Sequence, residues 1–210
     1  MLQLSCIRFS YISYKIEAQL KEGVDRFMYT VILVLLSALA SLIQMPIAGA
    51  DFRFSAGIIV LIAGLLLNKK LKPIPVGILA GFAVFLMRVL YANIIALESY
   101  DVLSYFLEVF FYLGYVLVYR YVVLKDDAIY RTPLVVGLSL SDFGGNALEY
   151  FIRLGAGYED WNSTSLTSLL IAAFVRSVLI MLLVYIVYIF VKKVLGRDSD
   201  NPLESVKNAR

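Results

Sequence analysis

Six apolar stretches alternate with connecting segments whose positive charge switches from one side to the other. A spanning helix needs roughly 20 mainly apolar residues. The candidates are Phe27–Ala48, Phe54–Leu67, Ile74–Ile95, Val102–Leu124, Thr132–Leu154 and Leu166–Leu195. The second is short and is completed by Asn68 and Lys69 or crosses with little tilt. Pro46 and Gly49 break the first stretch from the second, and the basic Lys72-Pro73-Ile74-Pro75 turn separates the second from the third. Basic residues set the orientation: Arg8, Lys15, Lys21 and Arg26 before the first stretch, Lys69, Lys70 and Lys72 after the second, and Arg120, Lys125 and Arg131 after the fourth. Lys192, Lys193, Arg197, Lys207 and Arg210 follow the sixth. Together these are 15 of the 19 basic residues. The positive-inside rule then puts both termini in the cytoplasm, and an even number of spans is required.

The expected fold is therefore all-α: a polytopic integral membrane protein with six transmembrane helices and both termini cytoplasmic. Residues 1–26 form an N-terminal tail, 27–195 the membrane domain and 196–210 a C-terminal tail. Composition agrees, since 61% of the 210 residues are hydrophobic and 17% charged, against about a quarter charged in soluble domains. Residues 1–23 are polar and mixed and do not read as a secretory signal. A multi-pass location in the cell membrane is expected. The net charge of +3 belongs to membrane-flanking segments and marks no nucleic-acid surface.

Histidine is absent, which excludes a Ser-His-Asp triad, a His-ligated metal and a phosphoacceptor histidine. The single cysteine, Cys6, makes no intrachain disulfide. No cofactor and no metal site is implied. Asn162-Ser163-Thr164 matches a glycosylation sequon, a short pattern that commonly arises by accident.

The informative residues are ionisable groups inside the apolar stretches. Asp142, Asn146, Glu149 and Arg153 recur at i, i+4, i+7 and i+11 and share one helix face, which Ser139 extends. Arg176 lies about 11 residues from the outer end of its helix, as does Asp142, so the two are expected to form an ion pair between antiparallel neighbours. Left alone, each would cost several kcal/mol near the bilayer centre. Arg88 falls near the outer end of the third stretch and Glu108 roughly two turns into the fourth. Asp51, Arg53, Asn93, Glu98 and Asp101 occupy the outer segments. Nearly all polar groups thus fall in the outer half, as expected of a pocket open to the outside. Arg53, Arg88, Glu108, Asn146, Glu149 and Arg153 are the expected ligand-binding residues. Two readings stand side by side. These charges form a recognition site, or they staple helices together, with Arg88 and Arg153 snorkelling to headgroups. Use of Asp142 and Glu149 as acid and base is disfavoured, because they are about 10 Å apart on one helix with no nucleophile between them. The chain is not expected to be an enzyme.

Small residues provide helix packing: Ser37 and Ser41 on the first helix, Gly77 and Gly81 on the third. Gly144 and Gly145, beside Asp142, either loosen the fifth helix or admit a ligand. Tyr91, Tyr100, Tyr105 and Tyr158 read as an interfacial aromatic belt.

Three segments resemble a known family. They are the Asp-Phe-Arg-Phe-Ser-Ala-Gly-Ile-Ile string from Asp51 with the later Gly77 to Arg88 segment, the Ser141 to Arg153 segment, and Ala173 to Ser177. Together they resemble the N-terminal multi-helix sensor region of membrane histidine kinases of Firmicutes, over roughly residues 28–193. The resemblance implies Arg53, Arg88, Asp142, Asn146, Glu149, Arg153 and Arg176 as the polar positions. After Leu195 15 residues follow, so the chain is expected to lack a kinase module of its own and to act through a membrane or cytoplasmic protein partner on binding a small extracellular ligand. A second resemblance is to the substrate-binding S components of energy-coupling-factor vitamin transporters, through size, six helices and the Phe52 to Ser55 stretch. There Ser37 and Ser41 stand where the family has an Ala-xxx-Ala docking pair. Signal transduction and transport are the two functions these resemblances imply.

Overall fold

A computed structural model of the chain describes residues 23–46, 53–96, 101–124, 133–157 and 166–195. The chain divides into two compact units, Met1–Ile32 and Leu33–Arg210. In the first, the described residues are helical, and Thr30 Oγ1 donates to the carbonyl of Arg26.

Six helices carry the architecture: α1 (Gly23–Ala40), α2 (Ala56–Leu67), α3 (Pro73–Tyr91), α4 (Val102–Val118), α5 (Leu134–Gly155) and α6 (Leu166–Leu195). α3 and α4 each run on into a π-helical turn, Ala92–Ala96 and Tyr119–Val123. Four helices are long and apolar enough to cross a membrane: α1, α3 and α4 with their π turns, and α6. The protein is thus helical and membrane-embedded. α2 is shorter, and α5 has the length but carries Asp142, Glu149 and Arg153.

The ends of the helices follow local chemistry. The Ser55 side chain caps α2 by accepting from Gly57 N, and Asp101 caps α4 by accepting from Leu103 N. Pro73 opens α3, where a missing N–H costs nothing. α5 stops at Gly155, and Gly157 behind it takes φ 78°, the left-handed conformation in which glycine ends helices.

One departure from the expected helices concerns the first connection. The first apolar stretch runs to Ala48 in the sequence, yet α1 ends at Ala40. Gln44–Pro46 instead forms strand β1, paired antiparallel with β2 (Arg53–Ser55), in the register Gln44 to Ser55 and Pro46 to Arg53. The fold is all-α except for this pair. Pro46 is a helix breaker tolerated at a strand end.

In the second unit α1 packs antiparallel to α2, α3 to α4, α4 to α5 and α5 to α6. Leu33 of α1 seats on Gly64 of α2, and Ser37 Oγ donates to the carbonyl of Gly57 at 2.8 Å. α4 packs most heavily against α5 and α3, α5 against α6, and α2 against α6. The apolar core is drawn from α2 (Ile58, Leu61, Ile62), α3 (Val76, Ala80, Val84), α4 (Tyr112, Tyr115, Val116) and α6 (Ile180, Val184). Large apolar side chains such as Leu86, Phe151, Phe174 and Phe190 are exposed, which suits contact with lipid tails.

Candidate functional site

The polar face of α5 is buried along its length. Asp142, Asn146, Glu149 and Arg153 all face the protein interior, and each finds a partner there. At the end of α5, Arg153 Nε donates to Glu149 Oε1 at 2.8 Å. Its Nη1 and Nη2 donate to Ser104 Oγ and to the Ser104 carbonyl at 3.1 and 3.0 Å. One guanidinium thereby fixes the end of α5 to the start of α4. Beside it, Arg88 of α3 is ion-paired with Glu108 of α4. Ser104 and Glu108 are one turn apart on α4, and Glu149 lies between Asp142 and Arg153 on one face of α5, so the pairs line one α4–α5 seam.

Deeper along α5, Arg176 Nη1 donates to both oxygens of Asp142 at 2.8 Å. Asn146 Nδ2 donates to Asp142 Oδ1 at 2.8 Å and to the Asp142 carbonyl at 2.9 Å. The Arg176 guanidinium also lies 5.2 Å from the centre of the Phe111 ring, a cation–π contact of about 0.5–2 kcal/mol. One turn further, the Ser139 and Ser177 hydroxyls are 3.1 Å apart, again joining α5 to α6.

These contacts sort the sequence-derived residues. Arg88 and Glu108 are together, as are Glu149 and Arg153, and Asn146 attends Asp142. The side chain of Arg53, and Asp51, Glu98, Tyr100, Tyr158, Cys6 and the Asn162 sequon, lie outside the described residues, as do residues 1–22 and 196–210. Arg88 and Arg153 do not snorkel. Both are buried, and both are engaged with α4. The three arginines and three carboxylates of the cluster match in number. Five of the six are buried, and only Glu108, with 27% of its side chain exposed, is partly open.

The glycine pair beside Asp142 has a different use from a flexible joint or a ligand approach. A Cβ on Gly145 would stand 2.8 Å from the Phe111 carbonyl and 2.9 Å from its ring. A Cβ on Gly114, facing it from α4, would stand 2.9 Å from the Gly144 carbonyl. Gly114, Gly144 and Gly145 let the α4 and α5 backbones touch. That contact holds Phe111 where Arg176 stacks on it. Gly77 and Gly81 work similarly on α3, against Val116 and against Val109 and Tyr112. Ser37 and Ser41 are fully buried, bonded to the carbonyls of Gly57 and Ala38.

Sequence reasoning passed over Ser104, Phe111, Gly114 and the buried stripe Tyr112, Tyr115 and Tyr119. The stripe had a signal, because those tyrosines recur at i, i+3 and i+7. Phe111 had none, since nothing distinguishes it from Phe106 or Phe110. Among the described residues, no three His, Cys, Asp or Glu side chains are grouped to hold a metal ion.

Compared with known protein families, with curated proteins and with solved structures, the chain finds no match.

Proposed function

We propose that this chain is a six-span, bacterial plasma-membrane sensory domain with both termini cytoplasmic. It recognises a small ligand outside and acts through a separate protein partner, in the manner of histidine-kinase sensor regions. The observation that carries this reading is the graded exposure of the ionic cluster. Its partly exposed member, Glu108, pairs with Arg88, and the cluster continues inward to Arg176 on α6. Under the proposed topology Glu108 faces outside, and α6 leads to the cytoplasm. A ligand that competes for Arg88 or Glu108 would change the balance of charge around Glu149, and with it the packing of α5 on α6. Such a change needs differential affinity for two arrangements of these helices.

Transport as an energy-coupling-factor S component has less support. Docking through Ser37 and Ser41 requires an outward-facing pair, and both serines are buried against their own fold.

The test is a thermal-shift screen of the purified protein in detergent against amino acids, vitamins and short peptides, repeated with Glu108→Gln and Arg88→Gln. The expected result is a stabilising compound whose effect both substitutions remove. A compound that stabilises the variants as well as the parent overturns the site. One that is accumulated by cells carrying an ATP-driven partner overturns the sensory role.

A further inference from the structure

Tyr115 is fully buried on the inward face of α4, and its hydroxyl has no hydrogen-bond partner. A buried hydroxyl left unpaired forfeits its hydration without return, so native proteins rarely keep one. Phenylalanine would fill the same space without that cost, and α4 uses phenylalanine freely. Phe106 packs edge-on against Phe85 and Phe110, and Phe111 against Tyr112 and Tyr115. An oxygen is therefore kept at position 115, although phenylalanine stands at 106, 110 and 111 of the same helix. The neighbouring Tyr112 hydroxyl also makes no hydrogen bond, but it approaches the hydroxyls of Ser55 and Ser37. Phe111, whose ring packs edge-on against Tyr115, carries the Arg176 guanidinium 5.2 Å from its centre, so Tyr115 stands beside the Asp142–Arg176 pair.

We propose that the Tyr115 hydroxyl and the Asp142–Arg176 pair together hold one small uncharged molecule, water or a solute of the same chemistry, between α4, α5 and α6. The chemistry follows from what faces it. Asp142 Oδ1 accepts from both Arg176 and Asn146, whereas Oδ2 accepts from Arg176 alone, which leaves it acceptor capacity. A guest that accepts from Tyr115 and donates to Asp142 Oδ2 satisfies both. It must therefore carry a donor and an acceptor, as water, an alcohol or an amide does. The Asp142–Arg176 pair is already neutral, so a charged guest would sit uncompensated in an apolar core. The inference is independent of recognition at Glu108.

Melting of the full-length Tyr115→Phe variant in detergent gives the first arm. Loss of a bonded hydroxyl lowers the melting temperature by several degrees. Loss of an orphaned hydroxyl leaves it unchanged or raises it, and that result overturns the proposal. The second arm identifies the guest in the parent protein and does not depend on the variant. Radiolytic footprinting in 18O-labelled water marks Tyr115, despite its burial, if the guest is water. A retained small-molecule mass in native mass spectrometry, lost in Tyr115→Phe, identifies a solute instead. Absence of both the mark and the mass overturns the proposal.

Discussion

Arg176 Nη1 stands 2.8 Å from both carboxylate oxygens of Asp142, and it joins α6 to α5 where neither side chain reaches solvent. Removing one partner strands the other charge in an apolar core, which costs about 3–5 kcal/mol for buried pairs. Asp142→Ala and Arg176→Ala should each destabilise the protein by about that much. The double change Asp142→Leu with Arg176→Met removes both charges and keeps volume, so it should recover most of the loss. Unfolding in detergent of the parent, both single variants and the double variant measures the coupling. A double variant no more stable than the singles would show that the pair does not act as a unit.

The α4–α5 contact gives a steric prediction with an internal control. Gly145→Ala puts a methyl 2.8 Å from the Phe111 carbonyl, which is backbone and cannot swing aside. The helices must separate, at about 1–3 kcal/mol, and Phe111 shifts under Arg176. Gly155→Ala, on the same helix, meets nothing within 4 Å and has no positive φ. It should be neutral or stabilising by roughly 0.5–1 kcal/mol, the cost of glycine in a helix. A Gly145→Ala variant as stable as Gly155→Ala would show that the close approach of α4 and α5 imposes no steric limit.

The contrast between Asp142 and Phe111 explains how far the sequence could be read. Asp142 and Arg176 are rare residue types in apolar helices at matched depth, so their pairing follows from solvation cost alone. Phe111 is one aromatic among many, and its role depends on a rotation of α4 about its axis that periodicity does not fix. The glycines fall between these cases. Gly144 and Gly145 are visible as an anomaly, but their partner Gly114 lies on another helix, and only the crossing brings the three together. The end of α1 is hidden in the sequence for a related reason. Leu42 and Ile43 continue the apolar run, while the β1–β2 pairing that ends it joins Gln44 to Ser55 and Pro46 to Arg53.

Arg153 serves two helices at once, and its two roles can be separated. Ser104→Ala removes one side-chain hydrogen bond and keeps the carbonyl that accepts from Nη2, so it should cost about 1 kcal/mol. Arg153→Met removes every donor and leaves Glu149 buried beside its former partner. That should cost about 3–5 kcal/mol, and adding Glu149→Gln should return part of it. Unfolding in detergent provides the measurement. If Ser104→Ala and Arg153→Met destabilise equally, the Glu149 contact contributes nothing.

Six spans with cytoplasmic termini make a prediction about sidedness. The Lys69–Lys70 turn after α2 and the Ala156 turn after α5 should lie on opposite faces of the membrane, because three crossings separate them. Both Lys70 and Ala156 are exposed, so a cysteine at either position is reachable. Cys6 is the chain's single cysteine, and Cys6→Ser provides a thiol-free background. In intact cells a membrane-impermeant maleimide should label Ala156→Cys and spare Lys70→Cys, and after permeabilisation it should label both. Labelling of both positions in intact cells, or of Lys70→Cys alone, would remove the outside-facing assignment of Glu108. The cluster would then serve helix packing with no route to an external ligand, because Glu108, Arg153 and Ala156 lie at the same end of α4 and α5.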